Sequence, residues 1–349
     1  MLEWEIMVKS GYASGRLTLL KLVCLVAGIF TLAGISLSCS PQPYSGPVES
    51  VVVSYSPFES TAFLWIADNQ GFFRQNGLDI SMRKYDTGAG SLDGMLKGEA
   101  DIALGITEFP LTRKALQKVK VRIIAGIDKS EFIYVIARKD RGIEKASDLR
   151  GKRVGTTLGT IAEFHLGRFL ELNGMSMKDI VLVDVKTPAA WVNAVVDGDI
   201  DAIATAQPYA NSAREGLGTN AIFWPAQAGQ SQYALISTTD KWITEHPQLV
   251  KRFLKSMLQA EEYLIRNPVK AKAIVQERLN LNPAYVEKFW SQNQFSLSLD
   301  QGLILAMEDE ARWMISNNLT TERVVPNFLD YIDESALKAV KPKGVKLIR

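Results

Sequence analysis

Gly98-Glu99-Ala100-Asp101 recurs one hundred residues later as Gly198-Asp199-Ile200-Asp201, each time between a short helical segment and an apolar strand. Upstream, Asn76-Gly77 is echoed by Asn173-Gly174 at nearly the same offset. Such Asn-Gly pairs end helices, because glycine adopts a left-handed backbone conformation without steric cost. The ordered recurrence of helix ends and strands indicates that the chain contains two copies of one unit.

Both copies show the same alternation of strands and helices. The first runs from a β-branched strand at residues 51–53 to a buried strand at residues 102–104, and the second from residues 153–154 to residues 200–204. Alternating strands and helices favour parallel sheets with right-handed crossovers. The sequence therefore predicts an α/β fold of two lobes with a cleft between them.

The chain around the repeat adds hinges and a helical C-terminal third. We expect the first lobe over residues 51–135 and the second over residues 136–232. Strand-like runs at residues 132–137 and 233–236 are placed to carry the chain between the lobes, which predicts two hinge strands. Residues 233–349 add a return strand and amphipathic helices, which we expect to pack mainly on the first lobe.

The composition argues against several classes of protein. Of 349 residues, 47% are hydrophobic and 22% are charged, and the formal net charge is +2. These values fit a globular protein better than a disordered chain, a multi-span membrane protein or a binder of nucleic-acid phosphates. Two cysteines and two histidines are too few for a cysteine-rich zinc site or a Cys/His relay. We expect a monomer with no metal, no cofactor and no nucleic-acid partner.

The N-terminus has the order of an export signal. Basic residues, the last of them Lys21, precede an uncharged apolar run over residues 22–37, and Ser38 and Cys39 follow. The run is shorter than the ~20 residues that span a membrane. A small residue before a cysteine resembles a lipoprotein cleavage site, although Ser36 occupies the place of the usual leucine.

These features predict a signal peptide over residues 1–38, a lipid on Cys39 and a flexible tether over residues 39–50. The alternatives are that the apolar run remains as an uncleaved anchor helix and that Met7 is the true start. The chain contains no cysteine after Cys39.

Several blocks of the sequence resemble one known family. They are Leu64-Trp65-Ile66-Ala67, Gly71-Phe72-Phe73, Leu96-Lys97-Gly98-Glu99-Ala100-Asp101-Ile102-Ala103, Asp148-Leu149-Arg150-Gly151-Lys152-Arg153-Val154-Gly155 and the helical stretch 247–268. On these blocks the chain resembles the solute-binding proteins of ABC importers in the nitrate, sulfonate and taurine class, which includes thiamine-pyrimidine binders. The resemblance implies a two-lobed type II (flytrap) fold with two hinge strands and a small-molecule solute. It also implies an ABC permease as partner and a place on the outer face of the cytoplasmic membrane or in the periplasm.

Candidate ligand-binding residues follow from the predicted sheets. In open α/β sheets a ligand binds beyond the carboxyl ends of the strands, and a helix N-terminus there can hold an anion. The loops at those places contain Ser56, Pro57, Phe58, Thr87, Gly88, Thr107 and Glu108 in the first copy, and Thr157, Gly159, Thr160 and Trp191 in the second. The resemblance adds Gln207 and Tyr209, which match a segment that faces the ligand in the family. The threonines could equally be plain helix caps, and the rings plain core packing.

The charge of these loops bears on the ligand. They contain Glu59, Asp86 and Glu108 but only one basic residue, Lys186. A sulfonate or nitrate site usually needs an arginine or several aimed N–H groups. The count favours a neutral or cationic ligand, which a tight taurine or nitrate complex would contradict.

Three functions are open on the sequence. The first is a solute-binding lipoprotein of an ABC importer, which captures a small organic nitrogen- or sulfur-containing solute between its lobes without catalysis. The second is a sensory or docking lipoprotein that binds a ligand or a protein partner without transport. The third is an enzyme like the relatives by fold that build the thiamine pyrimidine with a histidine and clustered cysteines, which the cysteine-free body disfavours.

Overall fold

The computed structural model describes residues 44–349. The predicted signal peptide over residues 1–38, Cys39 and the first part of the predicted tether therefore lie outside the described residues. Residues 44–349 make up one compact unit. Within it, none of the helices combines the length and the apolar character needed to cross a membrane.

Strands and helices alternate through most of the described chain. The strands are Glu49–Tyr55 (β1), Leu78–Lys84 (β2), Ile102–Thr107 (β3), Arg122–Ser130 (β4), Ile133–Arg138 (β5), Arg153–Thr156 (β6), Val181–Asp184 (β7), Ala202–Ala206 (β8), Ala221–Pro225 (β9), Gln232–Thr238 (β10), Leu299–Asp300 (β11) and Val345–Lys346 (β12). The α-helices are Ala62–Asn69 (α1), Phe72–Gln75 (α2), Gly88–Leu96 (α3), Glu108–Leu116 (α4), Ile161–Leu172 (α5), Pro188–Val196 (α6), Tyr209–Leu217 (α7), Asp240–Glu245 (α8), Pro247–Arg266 (α9), Pro268–Leu279 (α10), Pro283–Phe289 (α11), Gln301–Ser316 (α12) and Ser335–Val340 (α13).

Two five-stranded sheets organise these elements, in the orders β2-β1-β3-β10-β4 and β7-β6-β8-β5-β9. In each sheet the first three strands run parallel. The fourth strand, β10 or β5, runs antiparallel to both of its neighbours. The shared order confirms the predicted repeat and the two-lobed α/β fold. We call the units built on these sheets the first lobe and the second lobe.

The echoing glycines take the same conformation in both lobes. Gly77 and Gly174 have φ of 69° and 68°, and Gly98 and Gly198 have φ of 79° and 86°. These are left-handed values that side chains other than glycine rarely adopt. The sequence echo therefore marks helix ends at equivalent places of the two lobes.

The chain crosses between the lobes at residues 131–132 and 226–231. Each crossing leaves an edge strand of one sheet and enters the inner antiparallel strand of the other, from β4 to β5 and from β9 to β10. The strand predicted over residues 132–137 is thus β5 and lies wholly in the second sheet, so the predicted boundary at residues 135–136 is wrong. A local pattern indicates a strand but not its sheet, because the pairing partners are distant in sequence.

Gln227 ties the two crossings together. Its side-chain oxygen accepts a hydrogen bond from the Ile133 N–H at 2.8 Å, and its amide donates to the Ser130 carbonyl at 3.2 Å. Gln227 is buried, so these bonds replace water as partners of the backbone where β4 ends and β5 begins. The two connections between the lobes are thereby held side by side.

The C-terminal helices cover the first lobe and also reach the second. α9 and α10 pack against α1, and α12 packs against α4. α12 also contacts α5 of the second lobe, where the ring centroids of Trp313 and Phe164 are 5.5 Å apart. The main apolar core accordingly runs from the first sheet through α9 and α12 into α5, while a second cluster lies between the second sheet and helices α6 and α7.

The contact between α12 and α5 predicts the effect of one added methyl group. A Cβ on Gly167 in α5 would overlap the indole ring of Trp313. We expect Gly167→Ala to lower the free energy of unfolding by about 1–3 kcal/mol, because overpacking forces a shift of the ring or the helix. Urea denaturation measures this difference.

The control is Gly90→Ala in α3, where the nearest heavy atom to a Cβ would be 3.4 Å away. This substitution should leave stability unchanged or raise it by up to about 1 kcal/mol. Equal unfolding curves for the two variants would contradict the predicted overlap.

Candidate ligand-binding site

A cavity lies between the lobes, where the parallel strands of both sheets end. Its volume is about 60 Å³, which is below the range of most small-molecule sites. The lining consists of Ser56, Phe58, Ser60, Thr87, Gly88, Ala89, Gly105, Thr107 and Pro110 from the first lobe, Phe132 from the crossing, and Ile133, Thr157, Thr160, Ile161, Ala162, Trp191, Thr205 and Ala206 from the second lobe. As far as residues 44–349 show, the lining contains no charged side chain.

Eight of the predicted site residues belong to this lining, some from the first lobe and some from the second. They are Ser56, Phe58, Thr87, Gly88, Thr107, Thr157, Thr160 and Trp191. The loops that follow the strands of the two sheets therefore meet at one place.

Three helices begin at residues that line the cavity. Thr87, Thr107 and Thr160 immediately precede α3, α4 and α5. The first-turn N–H groups of a helix lack partners within the helix, and the helix dipole places partial positive charge there. The Thr87 hydroxyl accepts from the Gly90 N–H at 3.0 Å, whereas Thr107 and Thr160 make no such cap. The cavity wall therefore presents three helix N-termini and no basic side chain.

Two glycines hold the start of α3 against the cavity. A Cβ on Gly88, the first residue of α3, would lie 2.6 Å from the carbonyl oxygen of Gly105 in β3. Gly105 has φ of 73°, and a Cβ there would lie 2.6 Å from the methyl group of Thr61. Glycine at both positions lets the helix start rest directly on the strand backbone.

Seven residues of the lining carry a hydroxyl group, and apart from Thr87, which caps α3, they fall into two sets. The first set donates to backbone carbonyl groups, and it consists of Ser56 at 3.1 Å, Thr157 at 2.6 Å and Thr160 at 2.8 Å. Since each hydroxyl has one hydrogen, these groups can only accept from a ligand. The hydroxyls of Ser60, Thr107 and Thr205 also line the cavity and have no hydrogen-bond partner within residues 44–349. They are available to donate to a ligand.

Aromatic rings form part of the wall. The centroid of Phe58 lies 6.0 Å from Phe132 and 6.3 Å from Tyr209, and Tyr209 stands edge-on to Trp191 at 5.0 Å. The Trp191 N–H donates to the Val185 carbonyl at 2.9 Å, which fixes the indole. We call the three rings that face the cavity, Phe58, Phe132 and Trp191, the aromatic wall. It offers an apolar surface to the body of a ligand.

Five predicted site residues lie outside the lining: Pro57, Glu108, Gly159, Gln207 and Tyr209. Pro57 and Tyr209 only neighbour lining residues. The Gly159 N–H donates to the Glu163 carboxylate at 2.6 Å, and Gly159 lies in an adjoining pocket beside Arg113. These corrections share one cause, because a position in the right loop does not fix the direction of a side chain.

Glu108 and Gln207 are directed into the protein. The Glu108 carboxylate accepts a hydrogen bond from the Tyr233 N–H in β10 at 2.9 Å. The Gln207 side-chain oxygen accepts from the Asn211 N–H at 3.1 Å. Both residues are buried and support the backbone around the cavity.

The sequence missed ten lining residues: Ser60, Ala89, Gly105, Pro110, Phe132, Ile133, Ile161, Ala162, Thr205 and Ala206. Most are small or apolar residues next to predicted ones, and such side chains carry no chemical signal of their own. Thr205 is different, because it ends β8 just as Thr107 ends β3. The repeat could have identified it.

The charged residues of the loops do not determine the charge of the cavity lining. Glu59, Asp86, Glu108 and Lys186 all lie outside the lining. Glu59 is buried, and this burial raises the pKa of its carboxyl group, while Asp86 and Lys186 are exposed. The expectation of a neutral or cationic ligand loses its basis, because the charges face the core or the solvent while helix N-termini face the cavity.

A buried pair of carboxyl groups lies beside the cavity. Burial raises the pKa of Glu108 to about 8. Burial and the neighbouring Glu108 raise the pKa of Glu310 well above its usual value. The Thr112 hydroxyl donates to Glu310 at 2.8 Å. Two carboxylates cannot both stay ionised in such surroundings, so the pair holds a proton at neutral pH.

The histidines of the chain do not reach the cavity. His165 is fully buried in α5, and burial lowers the pKa of its imidazole to about 3. His246 precedes α9 and is not part of the lining. Within the described residues, no group of three or more His, Cys, Asp or Glu side chains is placed to hold a metal ion.

Two sheets that are linked by two crossings and enclose a cavity at their strand ends define the periplasmic-binding-protein fold. Residues 59–271 match the family model described as NMT1/THI5 like. This match covers more than half of the chain, and the protein belongs to the NMT1/THI5-like family. The resemblance drawn from the sequence blocks is confirmed.

Relatives of the chain include both binding proteins and an enzyme. A putative binding protein of Brucella abortus is 26% identical over 265 residues, which cover 74% of this chain and 80% of that protein. The taurine-binding periplasmic protein of Escherichia coli is 27% identical over 231 residues, which cover 63% of this chain and 68% of that protein. The 4-amino-5-hydroxymethyl-2-methylpyrimidine phosphate synthase of Saccharomyces cerevisiae is 23% identical over 249 residues, 67% of each chain.

Solved structures share the fold. The alkanesulfonate-binding protein SsuA from Xanthomonas axonopodis pv. citri, bound to MOPS, superposes with a TM-score of 0.71 at 18% identity. The superposition covers 83% of this chain and 100% of that chain. It supports the two-lobed architecture independently of the sequence match.

The carboxyl pair predicts a pH dependence of stability. The folded state holds the Glu108 proton up to a pKa of about 8, whereas an unfolded glutamate releases it near pH 4.5. The contribution of this group is therefore fully present below pH 4.5 and is lost as the pH rises through about 8. Glu108→Gln cannot ionise and should escape this loss.

Urea denaturation at pH 5 and pH 9 measures the effect. We expect the stability of Glu108→Gln relative to the wild type to rise by at least about 1.4 kcal/mol between these values, the equivalent of one pKa unit. A constant difference would show that Glu108 has an ordinary pKa in the folded protein.

Proposed function

We propose that this protein is the solute-binding lipoprotein of an ABC importer and that it captures a small organic anion, with sulfonates as the leading class. The observation that carries the proposal is the chemistry of the cavity. Within the described residues its lining has no charged side chain, three helices begin at it, and three of its hydroxyl groups have no partner. A single negative charge is what such a wall stabilises best.

Contacts from both lobes support capture by closure. Thr107 of the first lobe and Thr205 of the second both present unpartnered hydroxyls to the cavity. A ligand therefore completes its hydrogen bonds only when both lobes surround it. Binding then favours the closed form, and a permease can distinguish that form from the open one.

The aromatic wall supports an organic anion over an inorganic one. Phe58, Phe132 and Trp191 present apolar surface inside the same cavity as the helix N-termini. An organosulfonate covers this surface with its carbon skeleton, whereas nitrate or sulfate leaves it in contact with water. Taurine and alkanesulfonates, after which two similar proteins are named, belong to this class of compound.

Binding without catalysis fits the residues at hand. The resemblance assigns the chemistry of the pyrimidine-forming relatives to a histidine and clustered cysteines. His165 is buried as a neutral ring outside the cavity, and the chain after Cys39 contains no cysteine. The hydroxyls and N–H groups of the lining are suited to hydrogen bonding with a solute.

Export and anchoring are supported by the N-terminal sequence. The apolar run over residues 22–37 and the small residue before Cys39 have the order of a lipoprotein signal. A lipid on Cys39 and the tether that follows would keep the two lobes at the outer face of the membrane, within reach of a permease.

Thr205→Val tests the ligand class at the cavity. The full chain is titrated calorimetrically with taurine, ethanesulfonate and hexanesulfonate, and with ethylammonium and choline as cations. We expect the sulfonates to bind and the cations not to bind. Valine keeps the shape of threonine but removes the hydroxyl, so sulfonate affinity should fall about 10-fold.

Thr321→Val is the matched control, because Thr321 is exposed outside the lining. Its sulfonate affinity should equal that of the wild type. Binding of cations but not sulfonates would refute the proposed class. Unchanged sulfonate uptake in cells that lack the protein, despite tight binding in vitro, would favour a sensory or docking role.

Cys39→Ser tests the anchor. Cells that express the protein are labelled with a radioactive fatty acid and fractionated. We expect Cys39→Ser to abolish the label and release the protein from the membrane fraction, whereas Cys24→Ser should keep both. Retention of unlabelled Cys39→Ser in the membrane would identify the apolar run as an uncleaved anchor helix.

A further inference from the structure

Three aromatic rings from both lobes meet beside the cavity. Phe109 lies in α4 of the first lobe, Phe164 in α5 of the second, and Trp313 in the C-terminal helix α12. The centroid distances are 5.8 Å between Phe109 and Phe164, 6.0 Å between Phe109 and Trp313, and 5.5 Å between Phe164 and Trp313. All three side chains are buried, with exposed fractions of 1%, 0% and 5%. Each ring thus contacts the other two.

Trp313 is fastened to the second lobe by more than ring packing. Its indole N–H donates to the Glu171 carboxylate at 3.0 Å. Its ring lies against Gly167, where the absence of a side chain makes room for it. Both partners lie in α5, so the C-terminal helix holds this helix of the second lobe at two further points.

α12 itself belongs to the first lobe. The Thr112 hydroxyl in α4 donates to Glu310 of α12 at 2.8 Å. Asp300, the residue before α12, pairs with Lys129 of β4 at 2.6 Å. Because α12 is tied to α4 and to the first sheet, it moves with the first lobe. Opening of the lobes about the crossings must therefore separate Phe164 from Phe109 and Trp313.

The same helices carry the cavity and the ring cluster. Thr107, just before α4, and Ile161, the first residue of α5, line the cavity. Phe109 and Phe164 follow within the first turn of the same two helices. A shift of α5 that breaks the ring cluster also withdraws the start of α5 from the ligand.

We propose that Phe109, Phe164 and Trp313 form a clasp that raises the closed fraction of the ligand-free protein and positions α5 for the ligand. Ring surface that is buried between the lobes opposes opening, because opening returns it to water. The apparent dissociation constant equals the intrinsic one divided by the closed fraction, so the clasp raises affinity without touching the ligand. Trp313 is a positioning residue in this account. The effect on affinity rests on the proposed function, whereas the effect on closure does not.

Hydrogen exchange of the ligand-free full chain tests closure directly. We compare the wild type with Trp313→Ala and with Leu337→Ala, a core truncation in α13 of a fully buried side chain. We expect Trp313→Ala to raise exchange across residues 161–172 at least about 10-fold, and Leu337→Ala to leave it at the wild-type level. Trp313→Phe keeps ring packing but loses the bond to Glu171, so it should give an intermediate rate. Trp313→Phe also provides the test if Trp313→Ala does not fold.

Hexanesulfonate is the probe for affinity. Its dissociation constant should rise about 10-fold in Trp313→Ala and stay unchanged in Leu337→Ala. Saturating hexanesulfonate should restore protection of residues 161–172 in Trp313→Ala. Equal exchange in all variants, or equal changes in the two alanine variants, would overturn the clasp. If hexanesulfonate does not bind the wild type, the proposed ligand class fails, and the exchange of the ligand-free variants still decides the clasp.

Discussion

The return of strand β10 to the first sheet, after the whole second lobe, is the constraint on which the rest of the structure depends. β10 completes the first sheet between β3 and β4, and β5 completes the second between β8 and β9. The second sheet forms from one continuous segment, β5 to β9, whereas the first sheet needs β10, which follows the second crossing. Gln227 lies in the second crossing, and its side chain bonds to the backbone of Ser130 and Ile133, which flank the first crossing. The two crossings are therefore held together, and the lobes share a single pivot. The carboxyl ends of the parallel strands face each other across that pivot, and the cavity lies where they meet.

A cavity built in this way takes its charge from the backbone. Helices follow the strands, so the N-termini of α3, α4 and α5 meet in the cavity together with the strand ends. Each helix N-terminus carries about half a positive charge, so the three together exceed what one negative charge needs without a cation. Arg113 lies in the adjoining pocket beside Gly159 rather than in the lining. The proposed preference for a monoanion therefore arises from the arrangement of the helices.

The repeat made much of the fold and eight of the 18 lining residues predictable, for reasons that individual residues show. Gly98 and Gly198 mark equivalent helix ends because both adopt a left-handed backbone conformation. Once the two copies are aligned on these ends, the loops at the strand ends, which contain Thr87 and Thr160, can be identified. Small residues such as Ala89 were not predicted, because they line the cavity through their position in the chain and not through a chemically distinctive side chain. The sequence analysis did not predict the edge strands β4 and β9. Each pairs with a strand that is distant in sequence, β10 and β5, and no local pattern indicates such pairing. The contact of Trp313 with Phe164 joins residues far apart in sequence, and no local pattern indicates it.

Three successive residues at the start of α4 connect the cavity with the rest of the molecule. Thr107 lines the cavity, Glu108 accepts the N–H of Tyr233 in the returning strand β10, and Phe109 packs on α5 of the other lobe. Because the three are consecutive where β3 passes into α4, a ligand that fixes Thr107 also restrains the bond to β10 and the contact with α5. Burial raises the pKa of Glu108 to about 8, so its carboxyl group keeps its proton at neutral pH. Cavity, pivot and lobe contact are thus coupled through a single turn, which favours closure as one concerted step between two packed arrangements.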